Sequence, residues 1–189
     1  RKLGAVLELN LYPGVNAYFE SYGKGEWDIA IGQRTPLTAD RADFVVDILL
    51  TDYWFLAAPG REFVNASQVD RPGVKIGAGL NSFSDQFLSK ALKSAQLVRG
   101  SNAIDALRNG QLDVYASSAG NVEAAAKKLP GAKIVPGAFT SERTMVILPK
   151  GRSSAAQSRV VEITNEAKKT GVVRTALEKT GVTGVRPAP

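Results

Sequence analysis

The chain has 189 residues, and its 44% hydrophobic and 22% charged content lies in the ordinary range of globular proteins. It contains no Cys and no His, which excludes cysteine nucleophiles, Ser–His catalytic pairs and metal sites built from thiolates or imidazoles. The formal net charge of +6 favours anionic ligands, but basic residues do not interleave with aromatics as in nucleic-acid-binding segments, and no apolar run approaches the roughly 20 residues of a membrane helix.

Hydrophobic periodicity and turn residues predict strands that alternate with helices. In the first half of the chain we predict a strand at Ala5–Leu11, a helix at Val15–Tyr22 closed by Gly23, strands at Asp28–Ile31, Phe44–Leu50, Tyr53–Ala58 and Val74–Gly77, a helix at Ser84–Ala95 and a strand at Gln96–Arg99. In the second half we predict a helix at Asn102–Arg108, a strand at Asp113–Ala116, a helix at Gly120–Leu129, strands at Lys133–Val135 and Met145–Leu148, and helices at Ser154–Lys169 and Val172–Lys179. The tail Gly184–Pro189 holds two prolines and is predicted to be irregular.

This alternation predicts an α/β fold with a mostly parallel sheet covered by helices on both faces. Two blocks are expected: lobe one from residues 1–56 and 144–189, and lobe two from residues 57–143. The chain would cross between them near Trp54–Ala58 and Glu142–Met145, and two such crossings form a hinge. Ligands prefer the cleft between two lobes, so we expect the binding site there.

The loop that follows the strand Asp28–Ile31 is the strongest candidate site. A strand that opens into Gly, Thr and Arg is typical of α/β proteins that bind a carboxylate or phosphate. The candidate ligand contacts are Gln33, Arg34, Thr35 and Arg41. The alternatives are a turn role for Thr35 and, for Arg41, a surface ion pair with Asp40, Asp43 or Asp47.

Two further loops carry polar side chains at the start of predicted helices. The loop Gly77–Ser84 can bind an anion through backbone N–H groups, and its candidate contacts are Asn81, Ser82 and Phe83. It is not a dinucleotide fingerprint, because Ser82 stands at the third glycine position; the alternative for Ser82 or Ser84 is a helix N-cap. The segment Asp113–Asn121 adds Ser118 and Asn121, with an ordinary small-residue turn as the alternative.

The order of these motifs resembles the bacterial extracellular solute-binding proteins of family three, the periplasmic amino-acid receptors of ABC importers. The similar segments cover most of the chain and are Gly25–Ala30, Thr35–Arg41, Tyr53–Trp54, Val74–Ser84, Ala103–Tyr115 and Ile147–Gly151. The resemblance implies a two-lobe, type II periplasmic-binding-protein-like fold. In that fold Ala5–Leu11 would be the second strand of lobe one. Lobe one would then be incomplete, with its first strand and helix absent.

The resemblance also implies a function. It implies a periplasmic receptor, a monomer without cofactor or metal, that delivers a small carboxylate-bearing solute to a membrane permease and catalyses no reaction. Nothing at Arg1 resembles a signal peptide, and we expect that N-terminal sequence is missing.

Individual roles follow by resemblance. Arg41 is similar to the family's carboxylate-binding arginine, Thr35 to its hydroxyl partner, and Ser82 to the hydroxyl residue that begins the lobe-two helix. The loop before Arg41 is about one residue longer than usual, which leaves Arg34 as an alternative anion ligand. The acid that pairs with a ligand ammonium falls at Ser118, and a hydroxyl cannot neutralise a buried ammonium. An organic or aromatic acid therefore fits better than a standard α-amino acid, and an amino-acid-like solute stays open as the alternative.

Two other functions stay open. The segment Val6–Gly32 also resembles the effector-binding domain of a LysR-type transcriptional regulator. A dehydratase on the same fold is the other alternative, although no tuned acid–base pair marks one.

Overall fold

The computed structural model describes residues 6–13, 15–36, 38–100 and 102–189. In chain order its elements are α1 (Val15–Glu20), β1 (Ala30–Gly32), β2 (Ala42–Ala57), a 3-10 turn (Ala66–Gln68), β3 (Lys75–Ala78), α2 (Phe83–Ala91), β4 (Gln96–Arg99), α3 (Ala103–Arg108), β5 (Val114–Ser118), α4 (Ala119–Lys128), β6 (Lys133–Ile134), β7 (Thr140–Pro149), α5 (Ser154–Lys169), α6 (Val172–Thr180) and β8 (Val185–Pro187). None of the helices in these ranges has the length and apolar character that crossing a membrane requires.

The chain forms two compact units. Unit 1 comprises Arg1–Leu49, Arg143–Val173 and Pro187–Pro189, and unit 2 comprises Leu50–Glu142 and Arg174–Arg186. The chain passes from one unit to the other within β2, β7, α6 and β8, so all four elements contribute residues to both.

Unit 1 is built on an antiparallel pair and an aromatic cluster. Strand β1 pairs with β7, placing Ala30 opposite Ile147. The buried residues Tyr22, Ala42 and Ile147 form the centre of its core. The Trp27 ring meets the Tyr22 ring edge-on, with 5.2 Å between centroids, and Trp27 Nε1 donates to Ser21 Oγ. These contacts fix the chain on either side of the turn at residues 23–26.

Unit 2 is a mixed sheet with a separate core on each face. Strand β3 pairs in parallel with β4 and β5, whereas β5 and β6 pair antiparallel with β2. Because side chains alternate along a strand, Phe55 of β2 lies in one core with Ile76 and Leu88, and Leu56 lies in the other with Leu107 and Val122. Helix α2 therefore covers the first face, and helices α3 and α4 cover the second.

Several predicted elements match the structure closely. Strand β4 and helix α5 have the predicted bounds, Gln96–Arg99 and Ser154–Lys169. The expectation of a mostly parallel sheet was wrong in detail: in the described ranges β3 pairs in parallel with β4 and β5, whereas β1 with β7 and β2 with β5 and β6 are antiparallel pairs. The antiparallel pairs arise where the long strands β2 and β7 take part.

The predicted strand at Ala5–Leu11 was wrong for the residues that the structure describes. Residues 6–11 form no strand, and Val6, Leu7, Leu9 and Leu11 are exposed. The alternating pattern is present, but a strand needs a neighbour for its backbone groups, and no described strand pairs with this segment.

Two other corrections involve β2. The predicted strands Phe44–Leu50 and Tyr53–Ala58 are one strand, because Asp52 continues the ladder: its N–H donates to Gly184 O (2.7 Å) and its carboxylate accepts from Ser141 Oγ and Arg186 Nη1. The same contact overturns the prediction of an irregular tail, since Val185–Pro187 forms β8 beside β2. Pro187 is tolerated because the neighbouring Ala188 donates the ladder hydrogen bond, to Ile48 O.

Candidate functional site

The loop of unit 1 that follows β1 is folded around Thr38. Thr38 is fully buried. Its Oγ1 accepts a hydrogen bond from the Thr35 N–H (3.0 Å) and donates one to the Gln33 carbonyl (3.4 Å). The Thr35 carbonyl in turn accepts from the N–H groups of Thr38 and Ala39. Thr35 therefore has the turn role that was the alternative in the sequence, and its own hydroxyl is half-buried, 3.1 Å from Thr38 Oγ1.

Arg41 ends this loop with an exposed side chain. Its Nη2 donates to the Tyr22 carbonyl (2.9 Å), which tethers the guanidinium at one edge. Two of the three acids that were candidates for an ion pair have other partners: Asp43 contacts Lys150 Nζ at 3.2 Å, and Asp47 contacts Arg143 Nη1 at 2.6 Å. Within the described ranges no carboxylate pairs with Arg41, so its remaining N–H groups can bind an external anion.

Arg34 lies in the same loop as Arg41, only seven positions before it, but it has different surroundings. Its side chain is exposed and lines an open groove of about 660 Å³ in unit 1. Lys150 adds a second positive charge to this groove, and Asp43 and Glu162 add negative charges. Arg41 is not among the residues that line the groove, so the two arginines offer separate anion contacts.

The loop before α2 in unit 2 is held by a buried carboxylate. Asp85 is 5% exposed; it accepts hydrogen bonds from the Asn81 N–H (3.0 Å) and from Arg99 Nε (2.7 Å). Burial alone would raise its pKa, but these hydrogen bonds outweigh burial and lower the pKa of Asp85. Ser82 Oγ accepts from the Asp85 N–H, so Ser82 is the N-cap of α2, and Asn81 has a φ of 60°.

Aromatic rings and a carboxylate lie on the α2 face of the unit 2 sheet. The Tyr53 and Phe83 rings are tilted with centroids 4.7 Å apart, and Tyr53 Oη donates to Glu142 Oε2 at 2.7 Å. Burial raises the pKa of both Tyr53 and Glu142. Ser118 is opposite Tyr53 in the pairing of β5 with β2, so it belongs to the same face.

Asn121 lies away from this group. Its Nδ2 donates to Ser117 Oγ (3.2 Å), and Ser117 is opposite Trp54 in the same strand pair. Successive residues of a strand point to opposite faces, so Ser117 and Asn121 belong to the face covered by α4. The structure brings Ser82, Phe83 and Ser118 together on one face and leaves Asn121 on the other.

Comparisons with known proteins identify the fold. No family profile matches the sequence, and no curated protein matches it. A solved structure of a putative binding component of an ABC transporter from Wolinella succinogenes, complexed with lysine, has a TM-score of 0.72 at 17% identity and covers 92% of this chain and 78% of its own. The structure of an ancestral cationic amino acid solute-binding protein has a TM-score of 0.66 at 20% identity, and the match covers 94% of this chain and 79% of that protein. The structure of a solute receptor for L-cysteine of Neisseria gonorrhoeae has a TM-score of 0.61 at 21% identity, and the match covers 86% of this chain and 68% of that receptor.

This chain has the fold of the type II solute receptors. The predicted fold class is thereby confirmed, and at these identities the likeness concerns the fold.

Sequence reasoning missed two acids of this receptor fold. Asp85 had a local signal, since Ser82-x-x-Asp85 is a capping-box pattern, but its partner Arg99 is brought close only by the fold. Glu142 had no comparable signal, because its contact with Tyr53 joins positions 89 residues apart. In the described ranges no group of three or more Asp, Glu, His or Cys residues is arranged to hold a metal ion.

Proposed function

We propose that this chain is the solute-binding receptor of an ABC importer and that it binds a small solute carrying a carboxylate. The observation that carries the proposal is the exposed guanidinium of Arg41, tethered to the Tyr22 carbonyl and paired with no carboxylate in the described part of the chain. A planar guanidinium held at one edge is suited to bidentate binding of a carboxylate. Thr35 adds a half-buried hydroxyl in the same loop.

The receptor fold supports this proposal. Solved proteins of this fold include one complexed with lysine, a receptor for L-cysteine and an ancestral protein bound to arginine. Each of these names a solute with a carboxylate. In unit 2, the hydroxyls of Ser82 and Ser118 and the ring of Phe83 offer polar and apolar contacts of the kind that line small-molecule sites.

The remaining parts of the proposal concern the cellular location of the receptor, its partner, its two lobes and the question of catalysis. We infer that the receptor works in the periplasm as a monomer, with a membrane permease as its partner, and that residues 1–56 with 144–189 and residues 57–143 form its two lobes. We also infer that it catalyses no reaction. A dehydratase remains the second candidate, since one similar structure is an ancestral amino acid-binding protein described as a precursor of cyclohexadienyl dehydratase (19% identity, TM-score 0.62).

Native mass spectrometry of the purified chain, followed by analysis of any released small molecule, tests the proposal. We expect a carboxylate-bearing compound to be released, and the same compound to rebind saturably in calorimetry. Failure of every amino acid and organic acid in a broad panel to bind would contradict the receptor function. Conversion of an added prephenate-like acid, followed by NMR, would favour the dehydratase instead.

A further inference from the structure

The open groove of unit 1 is a cavity that the proposed receptor function does not use. Its volume is about 660 Å³, and it lies between the loop after β1, the start of β2, the turn at Lys150 and the first half of α5. All of its lining residues belong to unit 1. Small-molecule sites in proteins have volumes of about 300–1,000 Å³, so this groove is large enough to hold a small organic molecule.

The two acidic side chains of the groove are already paired. Asp43 Oδ1 lies 3.2 Å from Lys150 Nζ, and Asp43 Oδ2 accepts a hydrogen bond from Gln157 Nε2 at 3.4 Å. These contacts join the start of β2 to α5 and to the turn at Lys150, so this end of the groove is held together without a ligand. Glu162 accepts a hydrogen bond from Arg159 Nη1 at 2.7 Å. Neither carboxylate is therefore left to pair with an ammonium group, and the groove favours a ligand without an amine.

Arg34 gives the groove an unpaired positive charge. Its side chain is exposed, and its guanidinium makes no hydrogen bond or ion pair with any described residue. The charges of Lys150 and Asp43 offset each other, and the charge of Glu162 is balanced by Arg159, which does not line the groove. The lining thus has a surplus of positive charge at Arg34, where a guanidinium can bind an oxyanion through two N–H groups.

The wall of the groove is partly apolar. Phe44 and Val45 of β2 and Val161 of α5 line it with half-buried side chains. A bare inorganic anion would leave most of the groove unfilled, since even a water molecule takes up only about 30 Å³ of the liquid. An anion that also carries an apolar body can cover this wall and remove apolar surface from water. The volume and the wall therefore favour an organic anion over a free inorganic one.

We propose that the groove around Arg34 is a second ligand site, for an organic anion that has an apolar body and no amine. Arg34 binds the anionic group, and Phe44, Val45 and Val161 contact the apolar body. The site is separate from Arg41, which does not line the groove. It is also independent of the proposed receptor function, because all of its lining residues belong to one unit.

A titration followed by NMR tests the site, with the methyl signals of Val45 and Val161 as local reporters. The probes are 2-naphthoate, 2-naphthylmethanol, which lacks the charge, and acetate, which lacks the apolar body. We expect 2-naphthoate to shift both sets of methyl signals saturably. It should bind at least about fivefold more tightly than either of the other probes, because only 2-naphthoate combines a charged acceptor for Arg34 with apolar surface to bury.

Three variants identify the groups that bind the probe. Arg34→Gln should weaken 2-naphthoate binding at least about fivefold, since it removes the charged donor. Asp43→Asn should strengthen binding about two- to fivefold, because it removes a negative charge and frees Lys150 to attract the anion. Arg152→Gln is the matched control: Arg152 is an exposed arginine of unit 1 that pairs with Asp28 and does not line the groove, and its loss should leave binding unchanged. Unfolding midpoints check that each variant is folded.

Opposite changes of affinity in Arg34→Gln and Asp43→Asn are the result that supports the proposal. Three results would overturn it: no saturable shift of the Val45 and Val161 signals with 2-naphthoate, equally tight binding of 2-naphthylmethanol, or unchanged affinity in folded Arg34→Gln. Calorimetric binding of 2-naphthoate without shifts of these methyl signals would place the probe elsewhere. That result would also overturn the groove as a site, and it would leave the receptor function intact.

Discussion

Replacing Asp85 with Asn should destabilise unit 2 by about 2–3 kcal/mol. Asp85 is 5% exposed, and its two oxygens have different partners: Oδ2 accepts from the Asn81 N–H, and Oδ1 accepts from Arg99 Nε and Ser89 Oγ. Asparagine keeps one oxygen and turns an amide NH₂ toward the other set of donors. The variant therefore loses one or two hydrogen bonds to a charged acceptor.

The surroundings of Arg99 limit the loss. The Arg99 side chain is 45% exposed, so water can solvate its charge when Asp85 is neutral, and the larger penalty of a fully buried broken ion pair does not apply. Urea unfolding measures the effect. With a slope of about 2 kcal/mol/M for a protein of this size, the midpoint should fall by about 1 M.

Asp105→Asn is the matched control for this prediction. Asp105 also pairs with an arginine of unit 2, Arg108, but its side chain is 62% exposed, so its loss should cost no more than about 0.5 kcal/mol. If Asp85→Asn and Asp105→Asn had the same midpoint, the buried carboxylate would not be what holds the loop before α2, and the reasoning would be refuted.

Further predictions concern pH and one close backbone contact. The pKa of Asp85 in the folded protein lies below its ordinary value of 3.8. The ionised carboxylate therefore makes its full contribution to the free energy of unfolding above that pH, and the contribution is lost as the pH falls through the lower pKa of the folded state. The stability gap between wild type and Asp85→Asn should thus be constant from neutral pH down to about 4.5 and narrow only below about 4, and narrowing already near pH 6 would contradict the assignment. Gly184→Ala should destabilise by at least about 2 kcal/mol more than Gly137→Ala: both glycines have positive φ, but a Cβ at Gly184 would lie 2.1 Å from the Ala119 Cβ, whereas nothing lies near Gly137. Equal unfolding midpoints for the two variants would show that the contact with Ala119 relaxes freely.

The elements that could be predicted from the sequence are those with local signals. Helix α5 has its N-cap at Ser153, whose Oγ accepts from the Ala156 N–H, and β4 lies between clear turn residues. The predicted bounds of both elements agree with the structure. The helix predicted to reach Ala95 ends instead at Ala91, because Asp70 accepts hydrogen bonds from the backbone N–H groups of Lys93, Ser94 and Ala95. A contact across 25 residues has no local sequence signal.

The residues of the candidate site likewise divide into those with a local sequence signal and those placed by contacts between distant parts of the chain. The N-cap role of Ser82 follows from its position before an apolar helix, and the sequence raised it as an alternative. The face to which each side chain of β5 belongs depends on strand register, which puts Ser117 and Ser118 on opposite faces. Asn121 of α4 contacts Ser117, so it is separated from Ser118. The pairing of Tyr53 with Glu142 depends on the packing of distant strands, so only the structure reveals it.

The most direct test of the central claim is a calorimetric titration of wild type and Arg41→Lys with the carboxylate-bearing ligand released from the native protein. Lysine keeps the charge but loses bidentate geometry, so affinity should fall by about 1–3 kcal/mol. Arg159→Lys is the control, since Arg159 is a unit 1 arginine paired with Glu162, and it should bind like wild type. Saturable binding that weakens only in Arg41→Lys is the predicted result. Unchanged affinity in Arg41→Lys, or no saturable binding of any small carboxylate to wild type, would contradict it.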